Sequence, residues 1–324
     1  MIRAIILAGG EGTRFWPLSR AHKPKQLLKL FSDKTLLEET VARVESIVDS
    51  VAISTGKNLE EPIRGIFPEV KMIVEPARRD TAAAIGLCAS QFDDDDILVF
   101  LPSDSYIDDV EKFQEAISIA IERATDGVVV VGIKPTYAAT GYGYIEPGDD
   151  WKVNSFKEKP DKNTAEMYLR EGYCWNAGIF VCKVSIMMEL FSTYAPEIYE
   201  KLIEIRKTGD IDGIYPTIEK TSFDYAVMEK AEKVYYVPAE FKWNDVGSFD
   251  ALSEIIDDKN VVLEGNVIEI DSKNNVVHAG KTVALIDCEN LVVIDTKDAL
   301  LVCPKSSVQK VKHLVEKDVD EKLR

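Results

Sequence analysis

The segment 2–8 is a short apolar run rich in β-branched residues, the pattern of a parallel strand buried on both faces. Similar runs recur at 51–55, 70–75, 97–101 and 128–133. Pro76 closes the third of these strands and Pro102 the fourth. The stretches between them read as helices. Thr35-Leu-Leu-Glu38 is a capping box that opens a helix running to about Ile47. Residues 58–67 form a second helix, Asp80 caps an alanine-rich third over 81–92, and a fourth spans about 110–124. The four aspartates at 93–96 read as a solvated turn. Strand and helix thus alternate five times with short connections. That predicts an α/β fold with a doubly wound, mainly parallel sheet and a ligand site at the carboxyl ends of its strands. The strand-end residues Ala8, Gly9, Gly10, Glu75, Ser103 and Asp104 are expected to converge there.

After residue 133 the pattern changes. Segments 140–145 and 153–158 alternate like antiparallel strands, a helix at 164–171 leads to a strand at 175–181, and 185–230 reads as mainly helical. A polar break at 257–260 suggests a division into 1–257 and 258–324. Six short β-branched runs follow, at 261–263, 266–270, 275–278, 283–287, 291–295 and 299–303, each bounded by Asp, Asn, Gly or Lys turns. They predict a small all-β module, one or two coils of a β-helix without a strict six-residue period. Residues 305–322 read as a terminal amphipathic helix that packs Val308, Val311, Leu314 and Val315 on the module.

Composition narrows the function. The chain has 324 residues and 46% hydrophobic content, enough to build a full core. No apolar run approaches the roughly 20 residues of a membrane helix, and the chain enters a strand at once without a signal-peptide pattern. The five scattered cysteines read as reduced thiols of a cytoplasmic protein. A formal charge of −17 repels nucleic acid and anionic membrane, so positive charge must be gathered locally wherever an anion binds.

Such a gathering follows the first strand. Gly9, Gly10 and Gly12 let the backbone turn its N–H groups toward an anion, and Arg14, Arg20, Lys23 and Lys25 follow, with Glu11 the one acid among them. A dinucleotide fingerprint would need glycine where Phe15 stands, and no Gly-Lys-Ser/Thr of a P-loop is present. Pro17 and Pro24 break any continuous helix. The alternative is a βα turn with solvated charges. The density of glycine, proline and cations favours an extended phosphate-binding loop.

Asp104 and Asp245 each follow an apolar strand. Either alone is an ordinary turn cap; beside a phosphate loop the pair suits Mg²⁺, which takes one or two protein carboxylates and completes its shell with phosphate and water. Lys159, ahead of Pro160, is either a surface lysine or a cation for a second phosphate. Glu158 and Asn176 then offer groups to a sugar, and Gly143 permits close backbone approach. Histidines 22, 278 and 313 lie far apart, and no nucleophile–base grouping is visible. A phosphomonoester, with its second pKa near about 6, can attack another phosphate without a base, so alignment and charge neutralisation suffice.

These motifs together resemble a known family. Leu7-Ala-Gly-Gly-Glu-Gly-Thr-Arg-Phe-Trp-Pro-Leu-Ser-Arg20 with Pro24-Lys25-Gln26 resembles the signature of the sugar-1-phosphate nucleotidyltransferases, and its Phe-Trp-Pro-Leu-Ser-Arg form points to the mannose-1-phosphate guanylyltransferase branch. Glu75-Pro76 with Arg79-Asp-Thr-Ala82, Glu158-Lys-Pro160, Trp175-Asn-Ala-Gly178, Asp224-Tyr-Ala-Val-Met-Glu-Lys230 and Trp243-Asn-Asp-Val-Gly-Ser248 extend the likeness in order. Asp80 departs from the usual Asn and Ser105 from the usual His; an aspartate cannot supply an amide donor. The resemblance implies a Rossmann-like nucleotidyltransferase fold and transfer of GMP from GTP to mannose 1-phosphate, giving GDP-mannose and pyrophosphate. It implies that Arg14 and Lys25 hold the triphosphate and Asp104 and Asp245 hold Mg²⁺. Ala8, Gly9, Gly10, Gly12, Thr13, Glu75, Pro102 and Ser103 would line the nucleotide, Lys159 would orient the attacking phosphate, and Gly143, Glu158 and Asn176 would read the sugar. A homodimer is expected by the same analogy.

Guanine presents two adjacent donors, and Glu75 at its strand end can accept both; pairing with Arg78 or Arg79 is the equal alternative. Another base or sugar, or a non-catalytic nucleotide-sugar-binding protein, are the rival functions.

Overall fold

Alternating apolar runs and helices build the sheet in the computed structural model, which describes residues 1–323. Two compact units result, each drawn from separate stretches of chain. The first gathers residues 1–9, 40–103 and 107–243; the second gathers 10–39, 104–106 and 244 onward. Neither follows a cut of the sequence at 257/258.

The first unit holds β1 (Ile2–Leu7), β2 (Ser50–Gly56), α2 (Lys57–Ile66), β3 (Lys71–Glu75), α3 (Asp80–Ala89), β4 (Ile97–Pro102), α4 (Val110–Arg123) and β5 (Val128–Ile133); α1 (Leu36–Val44) leads into it. Next come β6 (Gly143–Pro147), β7 (Val153–Glu158), α5 (Lys162–Glu171), β8 (Cys174–Lys183), α6 (Val184–Tyr194), α7 (Pro196–Thr208) and β9 (Val234–Pro238). The sheet runs β9-β5-β8-β4-β1-β2-β3. β1 to β4 are mutually parallel, as the alternation predicts, and β5 pairs β9 in parallel. β8 lies antiparallel between β4 and β5, and the antiparallel β6–β7 pair joins its edge. The near-continuous burial of β8 suits this central place. Ile5, Phe100, Phe180, Leu202 and Phe223 sit in the core of this unit.

Three local expectations are corrected here. Asp80 does not cap α3 in the ordinary way: it takes a left-handed φ of 67°, and its carboxylate accepts the adjacent Thr81 N–H at 2.8 Å. α3 ends at Ala89, before the predicted 92. The acidic turn is not simply solvated, because Asp96 is buried and accepts both the N-terminal ammonium at 2.8 Å and Arg3 at 2.7 Å.

All six predicted tail strands form in the second unit: β10 (Val261–Glu264), β11 (Val267–Ile270), β12 (Val276–His278), β13 (Val283–Ile286), β14 (Leu291–Asp295) and β15 (Leu300–Pro304). β10, β12 and β14 stack in parallel, as do β11 and β13, so the chain winds as a β-helix until β15 turns back antiparallel on β14. The repeat lies in the corners. Asp271 recurs as Asp287 and Asn274 as Asn290, one coil later, all with left-handed φ that Asx residues tolerate. The terminal helix is shorter than predicted: a 3₁₀ stretch over Lys305–Lys310 precedes α8 (Val311–Lys317). Val308, Val311 and Val315 are buried as expected, but Leu314 is exposed. Among the described residues, no helix is long and apolar enough to cross a membrane.

Candidate active site

The glycine loop of the second unit is shaped by what it buries. The Phe15 ring lies 4.8 Å from Phe249, and the Trp16 indole N–H donates to the Leu323 carbonyl at 2.8 Å. Anchoring these two aromatics leaves Arg14 exposed to solvent. Gly12 has φ 58°, and a Cβ there would fall 2.4 Å from Lys25 Cβ. Its carbonyl accepts from Ser19 Oγ at 2.8 Å and from Phe15 N at 3.0 Å. Only glycine fits both the conformation and the space. The loop closes on itself through Gln26, whose amide donates to the Gly10 carbonyl at 3.0 Å.

Lys25 is 6% exposed and organises the site. Its ammonium donates to the Asp245 carbonyl at 2.6 Å and the Val246 carbonyl at 3.0 Å, and lies 2.8 Å from Asp104 Oδ2. An ammonium has three donors, and three acceptors surround it. The turn it holds is strained: Val246 has φ 48°, rare for a β-branched residue, and the Asn244 side chain steadies it by accepting the Val246 N–H at 2.7 Å. The Asp104 side chain is about one-third exposed, and the Asp245 carboxylate lies over Gly247, where a Cβ would come within 3.2 Å. Lys25, Asp104 and the Asp245 backbone therefore meet at one ammonium, with Arg14 and Thr13 just beyond the glycine that packs on Lys25. Two accessible carboxylates fit a hard divalent cation that draws its other ligands from phosphate and water. Among the described residues no group of three or more His, Cys, Asp or Glu could hold a metal unaided.

The first unit carries two further clusters. At the ends of β1, β2 and β3, Ala8 N donates to the Ser54 carbonyl at 2.7 Å, and a Cβ on Gly9 would lie 3.5 Å from Glu75 Oε1. Tyr215 donates its hydroxyl to Glu75 Oε2 at 2.6 Å, and Ser54 donates to Oε1 at 3.3 Å. Arg79, one candidate for a local pair, instead donates to the Pro216 carbonyl. Burial raises the Glu75 pKa, against the pull of these two hydrogen bonds. Ser103 is buried, with its N–H on the Leu7 carbonyl at 3.3 Å, and Pro102 ends β4 within 3.3 Å of where a Gly178 Cβ would stand. Ala8, Gly9, Glu75, Pro102 and Ser103 thus gather at one end of the parallel strands, as expected of a doubly wound sheet.

The other cluster lies where β6, β7 and β8 meet. Gly143 pairs with Glu158 in the sheet, and a Cβ on Gly143 would fall 2.5 Å from Glu158 Oε2 and 3.3 Å from Asn176 Cβ. Lys159 takes φ 47° and donates to Glu158 Oε1 at 2.6 Å. Burial would lower its pKa, but the Glu158 hydrogen bond and charge outweigh this and raise it. Asn176 donates to Asp224 Oδ1 at 3.1 Å and accepts the Gly178 N–H at 3.0 Å. Asp224 and Tyr215 were not singled out as site residues from sequence. Asp224 did stand in a recognised motif; Tyr215 carried no signal.

Comparisons with known proteins show the family. Residues 3–260 match the nucleotidyl transferase family, and residues 265–317 match the mannose-P isomerase/GMP-like β-helix domain. Mannose-1-phosphate guanylyltransferase 2 of Escherichia coli O157:H7 is 36% identical over 97% of this chain and 73% of its own length. The alginate biosynthesis protein AlgA of Pseudomonas putida is 35% identical over 100% of this chain and 73% of its own. The crystal structure of a mannose-1-phosphate geranyltransferase from Thermus thermophilus superposes with a TM-score of 0.92, at 35% identity and 98% coverage of both chains. The chain belongs to the nucleotidyl transferase family, in the branch that carries mannose-1-phosphate guanylyltransferases.

Proposed function

We propose that this protein transfers GMP from GTP to α-D-mannose 1-phosphate, giving GDP-mannose and pyrophosphate. The observation that carries the reading is the Lys25 ammonium, which joins a glycine loop, Asp104 and the strained 245–246 turn. Arg14 and Lys25 bind the triphosphate. Because all three N–H groups of Lys25 have protein acceptors, it engages phosphate by releasing Asp104, the one side-chain partner of the three and about one-third exposed. Mg²⁺ on Asp104 and Asp245 would add charge neutralisation at the phosphates. Gly9, Gly10, Gly12, Thr13 and Ser103 line the nucleotide, and Glu75 accepts the two donors of guanine. Lys159 orients the sugar phosphate for in-line attack at the α-phosphorus, while Glu158, Asn176 and Gly143 read the mannose. No base is required, since the attacking phosphate is already an anion at neutral pH.

The same reading places the protein in the cytoplasm as a homodimer, with 1–257 as the catalytic segment and 258–324 as the β-rich module. Exposed Ile268, Ile270 and Ile286 on one face of that module support self-association. Nucleic acid and membrane are not partners. Pyrophosphate release with each of the four nucleoside triphosphates against mannose and glucose 1-phosphates tests the assignment. GTP with mannose 1-phosphate should lead. A different leading pair would reassign base or sugar, and no release from any pair would favour a nucleotide-sugar-binding protein.

A further inference from the structure

Asp224 opens a π-helical turn, Asp224–Met228, and the turn is pinned at its start where Phe223 N donates to Thr81 Oγ1 at 2.9 Å. Such turns are rare and concentrate at functional sites. Phe223, Ala226, Val227 and Met228 around it are buried core residues, a costly setting for a carboxylate that serves nothing. Asp224 itself is partly exposed. Asn176 occupies one of about four lone-pair positions on its carboxylate. The Asn176 amide is fixed from both ends, by Asp224 and by the Gly178 N–H, which leaves one amide hydrogen uncommitted. Gly143, Glu158, Asn176 and Asp224 therefore form one continuous cluster rich in acceptors, with a single amide donor in it. That is the composition expected of a hydroxyl-reading surface.

We propose that Asp224 is a further specificity-determining residue, whose carboxylate accepts a hydroxyl of the hexose held by Glu158 and Asn176; this rests on the assignment of that cluster to mannose 1-phosphate. The charged groups facing Asp224 are Glu158 and Lys159 from β7 and the turn after it, and Asp80 at the start of α3. Burial, and then the Glu158 charge, raise its pKa to about 7, so the accepting, ionised form is lost just below neutrality.

The test is a cycle between protein and substrate. Asp224→Asn keeps the size and an acceptor for Asn176, and Asp224→Ala removes both. KM and kcat are measured for mannose 1-phosphate and its monodeoxy analogues at saturating GTP. In the wild-type enzyme one analogue should show a KM raised by about 10-fold or more, the usual worth of a hydrogen bond to a charged group. In Asp224→Ala that penalty should vanish, and in Asp224→Asn, where a neutral carbonyl oxygen replaces the carboxylate, it should shrink, with KM for GTP unchanged in both. The wild-type KM for mannose 1-phosphate should also rise as pH falls through 7, and rise less in Asp224→Asn, where only the substrate phosphate titrates. An unaltered set of penalties in Asp224→Ala, or in Asp224→Asn should the alanine variant fail to fold, would overturn the proposal and leave the overall reaction standing. Failure of the wild-type enzyme to use mannose 1-phosphate at all would overturn both.

Discussion

Gly12 and Lys25 illustrate how tightly single residues constrain this site. A Cβ at Gly12 would overlap both the side chain and the backbone of Lys25. Gly12→Ala should fold, because the loop is anchored by Phe15 and Trp16, yet lose at least about 10-fold in kcat/KM as Lys25 is displaced; steady-state kinetics beside a melting curve would separate the two effects. If Glu75 reads guanine as proposed, Glu75→Gln sets an amide donor against the donors of the base, and should lower kcat/KM for GTP relative to ATP by about 10-fold or more. Unchanged selectivity would return Glu75 to a structural role. Asp224 also carries a stability signature. Its pKa is raised to about 7, so between the ordinary carboxylate range and 7 the folded state holds a proton that the unfolded state has released. Stability from this group is therefore lost as pH rises through 7, where the buried charge must form. Asp224→Asn should raise the melting temperature above neutrality and change it little in acid. The cations, glycines and carboxylates of the site were legible as residue types in the sequence. Their partners were less so: Tyr215 reaches Glu75 across 140 positions of chain, a contact that no local pattern encodes.

Among the elements, those with a local cause were the most legible. The capping box at Thr35 forms as read, with Thr35 N on Glu38 Oε2 at 2.8 Å and Glu38 N on Thr35 Oγ1 at 3.1 Å. The orientation of β8 was not legible, because a fully buried strand reads the same in either direction. Nor was the coil repeat, whose signal lies in Asp and Asn corners and not in the apolar runs. Asn275 shows how the coils are tied. It is fully buried, accepts the Leu291 N–H at 2.9 Å, and donates to the Asn260 side chain and the Cys288 carbonyl, both at 2.9 Å. Asn275→Ala leaves the Leu291 N–H without its acceptor, while the Asn260 side chain keeps the Asn275 N–H and the Cys288 carbonyl keeps the Lys273 N–H; it should destabilise the second unit by about 1–3 kcal/mol in denaturant unfolding.

For the molecule as a whole, the sequence order hides how the units are assembled. The glycine loop lies near the N-terminus, yet Phe15 and Trp16 share a core with Val276, Val292 and Val311 of the tail. The β-helix is therefore part of the unit that carries Lys25, Asp104 and Asp245. A chain of net charge −17 that binds two anionic substrates needs cations gathered where they bind, as the loop from Arg14 to Lys25 gathers them. The fate of a GTP radiolabelled at its α-phosphorus tests this account most directly. Incubated with the purified protein, mannose 1-phosphate and Mg²⁺, the label should pass into GDP-mannose with release of unlabelled pyrophosphate, and should stay in GTP when either the sugar phosphate or the divalent cation is withheld. Label remaining in GTP under the complete conditions, or emerging as free GMP, would contradict it.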